Sequence, residues 1–315
     1  MPSSKEIKGR ISSVESTLKI TSAMKLVSSS KLRKAQDALA AARPYEEALR
    51  SILDALIGNS SVETEEASAN LETSQPQDGP VAIVAVASNT SLCGGFNSAI
   101  TGFVKSLTEK YPGAKVIPVG RKMYDAFKKT DSIERQGLMG AAEEPLPGTA
   151  EGHRPMGSAD LNALSDKPSY DGAAALADEL IRAFADGVYS KVVIACNRSK
   201  GIGKYIPTEE QLLPAIMGPS GGEDLPETKY IFEPGLEALL EDLTPKTLRF
   251  RLYTMLLDSA TAEHAARVVA MQTATDNGEK LLDELRLLYN KTRQQKITAE
   301  ILDLVGGTGD YGTGS

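Results

Sequence analysis

The residues able to do chemistry are few in this chain and poorly grouped. Its two cysteines, Cys93 and Cys196, lie far apart, and its two histidines, His153 and His264, are likewise isolated. That spacing excludes a disulfide scaffold, a CxxC redox pair and a cysteine-built zinc site, and without HExxH or paired histidines no metal-ligand set is expected. A Ser-His-Asp triad would have to use His153, in Gly/Pro-rich sequence, or His264, inside a helical run. The first reads as a solvated loop residue and the second as a helix-surface residue.

The most pointed local pattern is Leu92-Cys93-Gly94-Gly95-Phe96-Asn97-Ser98, a glycine pair between an apolar strand-like run and a helical one. A dinucleotide-binding fold holds phosphate on free backbone amides at such a place. The pattern is neither GxGxxG nor GxxxxGK[ST], however, and no acidic residue closes the next strand at Val119-Gly120. Gly94 and Gly95 are therefore expected to make a tight strand-to-helix turn, with Cys93 as a small buried residue and no cofactor site. Lys31, Arg33, Lys34, Arg43 and Arg50 form a mildly basic face. Residues 1–57 carry only ten basic against six acidic residues, with Tyr45 the sole aromatic. This is too little for a nucleic-acid partner and fits a solvated face or one that meets acidic loops.

The elements that must position these residues follow from length and pattern. At 315 residues, 41% hydrophobic and 24% charged, with a mean hydropathy of -0.21, the chain is an ordered soluble protein long enough for two units. No run approaches the roughly 18 apolar residues of a membrane span, so no direct membrane insertion is expected. The opening MPSSKEIKGRIS has no apolar core of a secretory signal and no transit-peptide character, which points to bacterial cytoplasm.

Ser4 to Ile57 contains one glycine, Gly9, and one proline, Pro44, the mark of a long helix kinked once. Ile7, Ile11, Val14 and Leu18, then Leu32, Ala35, Leu39 and Ala42, keep one 4,3 register, interrupted by Thr21, Lys25 and Ser28. Either the seam rotates there toward Met24 and Val27, or the stretch faces something other than its own partner. A second long helix is expected from Pro245, capped by Thr244, to Val305, before Gly306-Gly307. Its apolar triplets are Leu248, Leu252 and Met255; Leu281, Leu285 and Leu288; and Ile297, Ile301 and Leu304. Each helix would extend roughly 80 to 90 Å, too long to fit inside a globule of this mass. Matched lengths set Ile7 opposite Ile301 and Leu53 opposite Leu252.

Between them, Val81–Ala87, Lys115–Val119 and Lys191–Cys196 read as strands, and Phe96–Lys110, Lys122–Lys129 and Ala173–Asp186 as helices. The predicted fold is thus α/β: a long antiparallel two-helix coiled coil from the chain ends plus a small doubly wound, Rossmann-like domain. Its divisions are residues 1–57, a flexible acidic linker 58–79, a foot domain 80–244 with an inserted loop 137–168, residues 245–305, and a Gly-rich tail 306–315.

Three separated segments resemble one family in its own order. EIKGRISSVESTLKITSAMKLVSSSKLRKAQ at residues 6–36, SLCGGFNSAI, and EHAARVVAMQTATDN with LYNKTRQQKITAEI and LVGG are similar to the rotary ATP synthase gamma subunit. Departures are Ser88-Asn89-Thr90-Ser91, where the family generally has an acidic and a basic residue, Gly278, where alanine is usual, and the long 137–168 insertion. The chloroplast version's regulatory dithiol is absent.

The resemblance implies a central rotor shaft without bond chemistry of its own, coupling rotation of a membrane c-subunit ring to conformational cycling of three beta subunits. Its partners would be three alpha and three beta subunits, epsilon and the c ring, at the cytoplasmic face of the bacterial inner membrane as a peripheral component. It also implies beta-subunit contacts at Thr21, Met24 and Lys25, and at Arg293, Gln294 and Thr298 of the RQxxIT motif. The alternatives are a non-rotating coiled-coil adaptor with an α/β foot and a nucleotide-using enzyme acting at Gly94-Gly95.

Overall fold

A computed structural model of the chain describes residues 3–60, 79–130, 156–201, 203–215 and 235–308. Two compact units emerge: Met1–Ser28 with Val268–Ser315, and Ser29–Arg267. Both long helices run through the division: α1, Ser4–Ser60, and α6, Leu236–Thr308. Most of the expected linker 58–79 and part of the expected insertion 137–168 lie outside the described residues.

The larger unit is built on a four-stranded sheet of order β2-β1-β3-β4. Strands β1 (Val81–Val86), β2 (Lys115–Val119) and β3 (Lys191–Gly201) are parallel, and β4 (Lys204–Leu213) returns antiparallel to β3. Helices α2 (Phe96–Lys110) and α3 (Arg121–Phe127) cover one face, where Ile100, Val104, Leu107, Met123 and Phe127 pack on Ile83, Ala85, Val116 and Val193. Helices α4 (Ser158–Asp166) and α5 (Tyr170–Ala185) cover the other. Leu248, Leu252, Met255 and Leu256 of α6 complete that second core. Helices on both faces explain why the parallel strands read as unbroken apolar runs.

Four expectations are corrected. Strand β3 continues past Cys196 to Gly201 and turns into β4, which the sequence hides because KYIPTEEQLL mixes charges and a proline. Both are tolerated at a sheet edge, and the other edge strand, β2, also carries a proline, Pro118. Helix α4 occupies part of the supposed 137–168 loop. Helix α6 begins at Leu236 and passes through Pro245, so Thr244 is a buried residue inside it and not its cap. Leu239, Leu240 and Leu243 pack against Leu53 and Leu56 of α1. Burying each such leucine is worth about 1.5–3 kcal/mol, which offsets the ~3 kcal/mol cost of an interior proline.

The fourth correction is register. Leu53 meets Leu240 and not Leu252, which lies in the sheet core. In the smaller unit, Glu15 pairs with Arg286, and Thr21 with Thr275. Ile7 is buried while Ile301 is 54% exposed, so they do not face each other. The seam of α6 is Met271, Thr275, Gly278, Leu282, Leu285, Tyr289 and Thr292, each at least half-buried, whereas Leu281, Leu288, Ile297, Ile301 and Leu304 are exposed. Of the three apolar triplets, Leu248, Leu252 and Met255 are buried in the sheet core and Leu285 lies in the seam, while the rest point outward because the true stripe contains threonine, glycine and tyrosine.

Candidate partner-binding surface

On α1 the 4,3 register persists through its polar interruption: Thr21 and Lys25 are half-buried and Ser28 is buried. The seam does not rotate, since Val27 is exposed. Thr21 instead faces its own partner helix, where Thr275 Oγ1 donates to its hydroxyl at 3.0 Å. Met24 is half-buried beside this stripe, and Ile20, Leu26 and Val27 form exposed aliphatic surface.

Arg293, Gln294 and Thr298 all lie beyond Thr292, the last half-buried residue of α6 among the described side chains, and are exposed. Thr298 Oγ1 donates back to the Gln294 carbonyl at 2.9 Å, holding the motif on one helical turn. Among the described side chains, 293–304 are exposed throughout, including Ile297, Ile301, Leu302 and Leu304. Exposed aliphatics in this number on two long helices make this surface the candidate for protein binding.

In the larger unit the Gly94-Gly95 turn is closed by the chain itself. Leu92 and Gly94 adopt positive φ of 67° and 58°, and Gly95 immediately precedes α2. Cys93 and Phe96 pack against Ala262 and Ala266 of α6. Asn97 Oδ1 accepts from the Ser88 amide, its Nδ2 reaches Cys93 Sγ at 3.2 Å, and Ser88 Oγ donates to the Thr90 carbonyl at 2.6 Å. Gly120, at φ 103°, has no room for a side chain: a Cβ would collide with the Ala87 carbonyl oxygen, which also accepts from Ser165 Oγ. The carboxyl end of β1, where a Rossmann-type fold receives a nucleotide, is occupied by these side chains and by α6.

The departures at Asn89 and Thr90 have local partners. Asn89 accepts from the Arg121 amide and donates to the Asn162 carbonyl, while Arg267 donates to Thr90 Oγ1 at 2.9 Å and pairs with Glu263 at 2.7 Å. Beside them His264 is buried, contrary to the helix-surface expectation. Burial, with Arg267 and Lys31 nearby, pushes its imidazole down to about 4. Glu263 is pushed up by the same burial, against the pull of Arg267. Asp258, also raised by burial, accepts from the Ser199 amide and lies near Arg198 and Arg43. Sequence reasoning missed this polar cluster; the i,i+4 spacing of Glu263 and Arg267 was visible, but its burial was not. Cys196 is buried and its thiol pushed up to about 12. No metal-binding group of His, Cys, Asp and Glu occurs among the described residues, and His153 lies outside them.

The elements define an α/β class of protein, a parallel-stranded sheet with an antiparallel edge and helices on both faces, flanked in the chain by two long helices. Residues 3–309 match the ATP synthase family model. The chain is 40% identical to the ATP synthase gamma chain of Phocaeicola vulgatus, over 98% of this chain and 99% of that one. It is 39% identical to that of Flavobacterium johnsoniae, over 98% of each. The protein belongs to the ATP synthase gamma chain family. Its fold is similar to a chain in the Euglena gracilis mitochondrial ATP synthase (OSCP/F1/c-ring, rotational state 3), with a TM-score of 0.63 at 18% identity over 98% of this chain and 94% of that one.

Proposed function

We propose that this chain is the central rotor shaft of an ATP synthase, coupling rotation of the c ring to conformational cycling of three catalytic beta subunits. The carrying observation is a family match along nearly the whole chain, joined to a pair of helices that leave large aliphatics bare. Its partners are the alpha and beta subunits, epsilon and the c ring. It is a non-catalytic subunit and has no catalytic residues of its own. As a peripheral part of a membrane-bound complex it has, among the described residues, no helix long and apolar enough to cross a bilayer. We place it at the cytoplasmic face of the inner membrane.

The shaft works because its sides differ. An asymmetric axle inside a threefold ring favours a different conformation in each beta subunit, according to the contacts offered to it. Met24 and Lys25 on α1 and Arg293, Gln294 and Thr298 on α6 supply those contacts, and the Gly94-Gly95 turn is structural. Arginine and glutamine hydrogen-bond carboxylates and backbone oxygens and remain compatible with remaking the contact each turn. Thr21, whose hydroxyl accepts from Thr275 Oγ1 and donates to the Leu18 carbonyl, acts from within the helix pair.

Replacing Arg293 and Gln294 together with alanine tests this. Loss of one charge-assisted hydrogen bond costs about 1.5–3 kcal/mol, so coupled ATP turnover of the assembled complex is expected to fall roughly tenfold or more. Both residues are exposed, so the thermal midpoint of the chain should stay put. Undiminished turnover would remove these residues from the contact.

A further inference from the structure

The seam between α1 and α6 in the smaller unit is thinly aliphatic on the α6 side, with Thr275, Gly278, Tyr289 and Thr292 among its members. Such a seam resists axial sliding weakly, since shifting by one turn exchanges one mixed set of neighbours for another. One level is different. A Cβ built on Gly278 would lie 2.6 Å from Leu18 Cδ2 and 3.3 Å from Leu18 Cγ, so a methyl at 278 is met by turning the end of Leu18 whereas a larger side chain needs the space that Leu18 fills. Gly278 is the only glycine of α6 before Gly306. One turn in either direction would therefore set Leu18 against Thr275 or Leu282. The adjacent turn carries the hydrogen bond from Thr275 Oγ1 to Thr21 Oγ1, and half-buried polar pairs of this kind are matched in one register only.

We propose that Leu18 and Gly278, supported by Thr21 and Thr275, are positioning residues that pin the two helices in a single axial register. The functional weight of this pin rests on the rotor reading. Met24 and Lys25 belong to α1 while Arg293 and Gln294 belong to α6, so a slip of one turn, about 5.4 Å, would move one contact set past the other.

The test uses the full chain in its assembled complex, with Thr21→Cys and Thr275→Cys introduced together and cross-linked by mild oxidation; both native thiols are buried. In this background the hydrogen bond is gone, so the rate of cross-linking reports the Leu18–Gly278 fit alone. Gly278→Leu is expected to slow cross-linking at least tenfold, and adding Leu18→Ala to restore most of it. Gly278→Ala, which Leu18 can accommodate by turning its terminal methyl, should change the rate less than twofold. Unchanged cross-linking in Gly278→Leu, or no recovery in the double variant, overturns the pin. Without the cysteines, protons pumped per ATP hydrolysed should fall severalfold in Gly278→Leu and recover with Leu18→Ala. If cross-linking follows the expected order while pumping does not change, the pin stands and the rotor reading is what fails.

Discussion

Buried among charged neighbours, His264 binds its proton more weakly in the fold than in the unfolded chain, where the ordinary value is 6.5. Below that value the unfolded chain takes up the proton first, so the stability due to neutral His264 is fully present above pH 6.5 and is lost as the pH falls toward about 4. At about 1.4 kcal/mol per unit, the loss is of order 3 kcal/mol. Buried Glu263 and Asp258, both raised, have the opposite sign and favour the fold as protons are added. Urea titrations of the parent and His264→Gln between pH 7 and 4 separate them: the variant should show a shallower decline. Identical slopes would mean the imidazole is solvated. Gly120 makes a second residue-level case. With φ at 103° and the Ala87 carbonyl in the way, Gly120→Ala should lower the unfolding free energy by about 2 kcal/mol or more, measurable as a reduced urea midpoint at unchanged slope. A one-letter sequence records both residues but neither environment: His264 stands in a helical run, and two of the charges that act on it, Lys31 and Asp166, come from far away in the chain.

Element by element, legibility followed the number of partners each segment has. Helix α2 and strand β2 agree with expectation to the residue, since each is bounded by local turn signals and covered in the manner its period announces. Strand β4 and the first turns of α6 were invisible because distant residues decide them. The start of α6 is set by Leu53 and Leu56 on α1, and the proline that would have begun a helix is merely carried inside one. Pro245→Ala should therefore raise the unfolding free energy by about 1–3 kcal/mol, as the missing backbone donor is restored and the ring clash relieved. A lower midpoint on thermal melting would show the proline to be needed where it stands. The coiled-coil seam of α1 was read correctly except at Thr21, Lys25 and Ser28, where it neither rotates nor leaves its own partner, whereas on α6 Leu248, Leu252, Met255 and Leu285 were on the buried side and Leu281, Leu288, Ile297, Ile301 and Leu304 were not. Aliphatic spacing locates a seam only when the seam is aliphatic, and on α6 the bare aliphatics face outward.

For the whole molecule, the exposed aliphatics on both helices imply that the chain reaches its working state only in company. Co-expressed with alpha and beta subunits it should elute with them on size exclusion as one stable complex; elution apart from both would favour a free-standing adaptor. The family was legible from three separated motifs, while the polar contacts around the end of β1 were not, because the Asn89 and Thr90 departures make sense only once Arg121, Asn162 and Arg267 are seen around them. The sheet carries one more consequence. Both of its margins hold a proline, Pro118 in β2 and Pro207 in β4, and on β4 Glu209 and Glu210 are tied to Lys110 and Arg251. A margin lacking an amide hydrogen and bristling with fixed charge is a poor template for another strand. Copies waiting in a crowded cell for their ring to be built can therefore accumulate without knitting together, edge to edge, into insoluble ribbons.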